Sequence, residues 1–102
     1  MVTVTSINKV SIRLTNERWI HIVENHDEMA GCYHDVLETV SKPDYIFEGN
    51  IDEIWAIQML KENKALIVIY KEQIEKCDGF IITLFLTSKI EQLLKRKLLW
   101  KR

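Results

Sequence analysis

The sequence predicts an α+β protein, with an N-terminal strand and two helices packed on a four-stranded antiparallel meander and a C-terminal helix. Three observations predict it. Apolar residues recur at helical spacing twice in succession, over residues 16–25 and 33–40. From Tyr45 onward the pattern switches to four short alternating or continuous apolar runs separated by polar turns. Helical spacing then returns at Ile90, Leu93, Leu94 and Leu98. The 102 residues support one domain over 1–102. A chain of this length buries enough surface to fold without disulfides or a structural metal.

Val10, Ile12 and Leu14 alternate with Ser11 and Arg13, the period of a half-buried strand, and Val2 and Val4 read as a fraying earlier piece of it. Thr15 or Asn16 offers an N-cap, with Glu17 in the first turn of a helix over 16–25. Asp27 can cap a second helix, in which Tyr33, Val36, Leu37 and Val40 form one stripe. Pro43 ends it by excluding the residue before it from the α region. Tyr45–Phe47 is a short strand, and Gly49-Asn50 a hairpin turn signal. Ile51, Trp55, Ile57 and Met59 alternate over a long strand. The unbroken apolar run from Ala65 to Tyr70 predicts a central strand covered on both faces. Residues 72–78 read as a charged loop before a last strand, Phe80–Leu86. Strict alternation there puts Phe80, Ile82, Leu84 and Leu86 on one face and Ile81, Thr83, Phe85 and Thr87 on the other. Ser88 caps the C-terminal helix.

Several function classes are excluded or disfavoured at this level. No stretch approaches the ~20 apolar residues of a membrane span. The opening MVTVTSINK lacks a basic start followed by an apolar core, so no signal peptide is expected and the cytoplasm is the expected compartment. Cys32 and Cys77, far apart in sequence, fit reduced thiols there. Fourteen basic and fifteen acidic residues leave a formal charge of −1, low for a general nucleic-acid binder. The distribution is uneven: residues 89–102 hold six basic side chains against Glu91 alone. That end is either a phosphate-binding patch or a solvated helix face with cations at its C-terminus.

Few motifs carry chemistry. There is no Gly-rich phosphate loop and no Gly-x-Ser-x-Gly elbow. All three histidines lie within residues 21–34. His21 and His26, five residues apart, would diverge by about 140° on one continuous helix. His26, Cys32 and His34 have no recognised ligand spacing, so neither a metal site nor any cofactor is expected. The adjacent pairs Asp27-Glu28 and Asp52-Glu53 diverge and suit solvated turns. Lys71 is a strand-end lysine or a phosphate contact; the Thr83 hydroxyl bonds backbone or a phosphate oxygen. Trp19, Trp55 and Trp100 are core or partner-surface anchors, or stack on bases.

Together these residues suggest a family. Glu17-Arg18-Trp19-Ile20-His21-Ile22, followed by His26 and Glu28, resembles an opening of the form Glu-Arg-Trp-x-His-Ile then His-Pro-Glu. Pro43-Asp44-Tyr45-Ile46, the Leu66–Lys71 run, Gly79–Thr83, Thr87-Ser88-Lys89 and Trp100 extend the resemblance over residues 14–101. The family is the phage-barnase–EndoU–colicin–RelE-like nucleases, a branch of the barnase-like ribonuclease fold. The resemblance implies two N-terminal helices on a four-stranded antiparallel sheet of barnase/RelE-like form. It implies metal-independent endoribonuclease activity by 2′-OH transesterification, as the toxin of a toxin–antitoxin pair.

By that resemblance His21, His26, Lys71 and Thr83 are the catalytic positions. Arg18, Tyr70, Ser88 and Lys89 are the substrate-binding ones. Either Arg18 or Lys71 would stabilise the phosphorane charge, and Thr83 and Ser88 would orient the phosphate. The implied partners are an RNA substrate, tRNA or mRNA, and a protein antitoxin of acidic or helical form. A non-catalytic module binding RNA or protein on the same fold is the second reading, favoured by the net negative charge of residues 1–88. A homodimer associating through its Trp surfaces is the third.

Overall fold

The computed structural model describes residues 2–102, and all positions below belong to that range. Among them, seven strands form one mixed sheet flanked by three helices. Val2–Thr5 (β1) and Ser11–Leu14 (β2) pair antiparallel, so Val2 and Val4 belong to a strand of their own. The turn between them is pinned to the far end of the chain: Glu72 accepts from Ser6 Oγ and, at 2.8 Å, from Asn8 Nδ2.

Asn16–Asn25 forms α1 with the expected bounds, and Thr15 Oγ1 accepts from Arg18 N at 3.1 Å. Asp27 does not cap the next helix. Asp27–Met29 is a single 3-10 turn, and α2 runs over Tyr33–Ser41. That turn drives Met29 into the core, fully buried, and lets Trp19 meet Tyr33 edge-on at 5.1 Å.

Four strands follow: Tyr45–Glu48 (β3), Ile54–Met59 (β4), Ala65–Gln73 (β5) and Asp78–Thr87 (β6). β4 starts later than its alternation suggests, because Asp52 adopts a left-handed φ of 60° and Ile51 turns out to solvent. The expected charged loop at 72–78 shrinks to one 3-10 turn, Ile74–Lys76, ended by Cys77 at φ 50°. β5 and β6 each extend into it.

The sheet order is β1-β2-β6-β5-β4-β3-β7, with β2 parallel to β6 and every other pair antiparallel. The sheet therefore has seven strands where an N-terminal strand and a four-stranded meander were expected. β5 is central, and Ala65 to Tyr70 are buried without exception, as the apolar run predicts.

The C-terminal helix is the clearest correction. Ile90–Leu93 (α3) makes one turn only, and Leu98–Lys101 (β7) pairs with β3. β3 would otherwise be an open edge with unpaired backbone groups. Glu48 N donates to Lys97 O at 2.8 Å and Arg102 N to Asp44 O at 3.0 Å, which extends the pairing beyond both ends of β7. The cations Lys95, Arg96 and Lys97 thus lie between α3 and β7 and do not decorate a helix end.

Helices α1 and α2 cover one face of the sheet. The main core lies beneath them, with Ile12, Leu14, Ile22, Val36, Val40, Leu66, Val68, Tyr70, Ile81 and Leu84 fully or almost fully buried. A smaller cluster of Phe47, Ile57, Ile67, Ile69 and Leu93 occupies part of the other face under α3. Gly79 sits where β2, β6 and β5 come closest. A Cβ there would lie 2.3 Å from the Lys71 carbonyl oxygen and 2.7 Å from Ile12 Cδ1. Gly79→Ala is expected to cost about 1–3 kcal/mol through forced displacement of backbone. Denaturant midpoints would check it, and an unchanged midpoint would contradict this packing.

Candidate functional site

The face away from α1 and α2 is organised by a β-bulge. Ile69 pairs with Thr83, but Tyr70 pairs with Ile81, so Ile82 is the extra residue of β6. A bulge rotates the strand beyond it and re-aims the side chains there. Ile81, Leu84 and Leu86 consequently join the helix-side core, while Ile82 and Phe85 pack on the opposite cluster. Strict alternation along β6 is therefore broken: Phe80 and Ile82 share the face of Thr83 and Phe85, not that of Leu84. Lys71, opposite Phe80 on β5, and Arg13, opposite Phe80 on β2, stand on the same face.

At the rim of this face, where β2 ends and the chain enters α1, that helix brings up two more side chains, of which Arg18 reaches Arg13 and Phe80. Arg18 and His21 lie three residues apart, one turn along the same ridge. Thr15, Glu17, Arg18 and His21 line one cleft of about 340 Å³. Arg13, Thr15, Arg18, Phe80 and Ile81 line a second of about 260 Å³. Arg18 and Thr15 belong to both, so the two clefts adjoin.

The charges there are unevenly neutralised. Arg13 is held by Asp78 at 3.0 Å, and its Nε also donates to Gly79 O at 3.4 Å. Among the described residues, neither Arg18 nor Lys71 has a carboxylate within ion-pair distance. Arg18 as a free cation shared by both clefts, the half-buried Phe80 ring in one and the exposed His21 imidazole in the other can hold a phosphate and work beside it, with Lys71 across from Phe80 on β5.

The other sequence candidates divide. Lys71 and Thr83 share the open face, and Thr83 is half-buried next to the bulge. His26 lies at the C-cap of α1 and turns to Glu28, Nδ1 to Oε1 at 3.6 Å, away from the Arg18–His21 ridge. Tyr70 is a correction. Its side chain is fully buried in the helix-side core, which removes it from any substrate-binding surface. Its hydroxyl has no hydrogen-bond partner, and burial, reinforced by the Glu72 carboxylate, pushes its pKa well up. Ser88 and Lys89 follow the far end of β6, and Lys89 lines a cleft with Trp55, Phe85 and Arg96.

His26, Cys32 and His34 do not assemble. Among the described residues no three His, Cys, Asp or Glu side chains gather to hold a metal ion. Burial, then the carboxylates of Asp35 and Glu28, push the pKa of the Cys32 thiol up. Arg13 and Phe80 escape a reading by segment, although an arginine alternating with Ile12 and Leu14 is the local signal for the first. No described helix is long and apolar enough to cross a membrane.

The fold and site thus define an α+β protein with a bulged mixed sheet whose open face carries cations and aromatic rings. Comparison with family models, with curated proteins and with solved structures finds no match for this chain.

Proposed function

We propose that this chain is a small ribonuclease of barnase/RelE-like architecture that cleaves RNA by transesterification on the open sheet face. The observation that carries this reading is the position of Arg18, shared by the His21 cleft and the Arg13–Phe80 cleft. Cleavage of this kind needs a base for the ribose 2′-OH and cations for the charge developing on phosphorus. His21 takes the 2′-OH proton, the general-base role that histidine fills most often. The 2′-oxygen bonds to phosphorus, and the bond from phosphorus to the 5′-oxygen breaks. That oxygen leaves with a proton drawn from solvent, and a 2′,3′-cyclic phosphate remains. Arg18 and Lys71 stabilise the pentavalent charge, with Thr83 orienting a phosphate oxygen. In this reading the chain is a cytosolic toxin, and a protein antitoxin covers the basic face. His26, paired with Glu28, plays no part in the chemistry.

A second reading, an RNA-binding module without catalysis, is favoured by one observation. Among the described residues no side chain hydrogen-bonds the His21 ring to orient it. The experiment is cleavage of tRNA and mRNA by the purified protein in excess EDTA, with end-group analysis. Cyclic or 3′-phosphate ends are expected, with cleavage falling about 10²-fold or more in His21→Ala. Full activity in that variant would remove His21 from the mechanism. RNA binding by the wild type with no cleavage would establish the second reading instead.

A further inference from the structure

At the other end of the open face lies a cleft of about 250 Å³ between β4, β6 and α3, lined by Trp55, Phe85, Lys89, Gln92 and Arg96 among others. Its aromatic floor is held in place. The Trp55 indole N–H donates to Glu53 Oε1 at 3.3 Å. Gly49 leaves room for the ring, because a Cβ there would lie 2.3 Å from Trp55 Nε1. Phe85 meets Trp55 edge-on, with centroids 5.8 Å apart and planes at 84°. The Arg96 guanidinium lies 3.8 Å above the Trp55 ring, and its Nη1 donates to Glu48 O at 3.5 Å. The Lys89 backbone N–H donates to Thr87 Oγ1 at 3.0 Å. Among the described residues, neither Lys89 nor Arg96 has a carboxylate within ion-pair distance.

Two unneutralised cations beside a fixed pair of aromatic rings want an anion attached to a flat ring. The volume falls below that of sites for drug-sized ligands and suits a single nucleotide. We infer that this cleft is a second RNA subsite, which takes one unpaired nucleotide with its base beside Phe85 and the Trp55–Arg96 stack and its phosphate between Lys89 and Arg96. The inference rests on the RNA reading above and deepens it: the substrate is single-stranded where it crosses this face. A base inside an A-form duplex is stacked on its neighbours and presents no free face to a side chain. Phe80 and Phe85 lie opposite Lys71 and Ile67, four residues of β5 or about 13 Å apart at ~3.3 Å per residue, so an RNA filling both ends of the face is longer than a dinucleotide.

The test is binding of 2′-O-methyl oligonucleotides, which resist transesterification, measured by fluorescence anisotropy over a salt series. The wild type is expected to hold a single-stranded hexanucleotide about ten-fold or more tighter than a dinucleotide or a blunt duplex. Arg96→Gln and Lys89→Gln should each weaken the hexanucleotide about ten-fold and reduce the salt slope by about one. Arg96→Lys should keep the slope while losing affinity, because an ammonium does not stack as a guanidinium does. Thermal melts of each variant would exclude misfolding as the cause. Equal hexanucleotide affinity in Arg96→Gln, Lys89→Gln and wild type, or equal affinity for duplex and single strand, would overturn the subsite and leave the RNA reading standing. A wild type that binds none of these RNAs would overturn both.

Discussion

Arg18→Ala is expected to reduce RNA cleavage by about 10²–10³-fold, the usual consequence of removing a preorganised donor from a developing negative charge. Arg18 is exposed and pairs with no carboxylate among the described residues, so its removal leaves no partner stranded and stability should change little. Arg18→Lys should recover part of the loss, since the charge returns without the planar fork. Cleavage kinetics in EDTA beside thermal melts would separate the two effects. An Arg18→Ala protein with wild-type kcat/KM would show that the junction of the two clefts is not where phosphate reacts.

Tyr70 should give the largest change in stability and no change in activity. Tyr70→Ala empties a fully buried aromatic site and is expected to cost about 3–5 kcal/mol. Tyr70→Phe removes only the unpartnered hydroxyl and should be neutral or stabilising by about 1 kcal/mol, because a buried polar group without a bond already carries a desolvation cost. The pH dependence comes from the raised pKa of Tyr70 in the folded protein. Below about pH 10, the ordinary tyrosine value, the phenol is protonated in both folded and unfolded chains. Above that the unfolded chain releases its proton more readily, so stability declines as pH rises. Tyr70→Phe should decline less over the same range. Denaturant melts between pH 8 and 11 would check this. A marked loss of RNA cleavage in Tyr70→Phe, with stability intact, would return the hydroxyl to the substrate site.

How much of the molecule was legible depends on how local its cause was. The bounds of α1 and the Thr15 cap were legible, because a cap and a helical stripe are settled within four residues of chain. The burial of β5 was legible for the same reason: Ala65 to Ile69 offers no polar side chain to either face. Arg18 and His21 were named only through the family resemblance, and the meeting of Arg18 with Arg13 and Phe80 was not legible. That contact needs β2 laid parallel to β6, which joins segments more than sixty residues apart. The bulge left no local trace, since Ile81 and Ile82 are chemically identical and only pairing with Ile69 and Tyr70 decides which is extra.

By itself, then, the sequence determined the α+β class, the two N-terminal helices, the central apolar strand and the concentration of positive charge near the C-terminus. Each comes from spacing or composition within a short window. Only the tertiary structure decided that Leu98–Lys101 is a strand, that the Tyr70 ring turns into the core on the helix side, and that Phe80, Ile82, Thr83 and Phe85 share one face. The physical reason is common to all three. A free strand edge, a register and a bulge are properties of two segments at once, and backbone hydrogen bonding between them outweighs the weak preference either has alone.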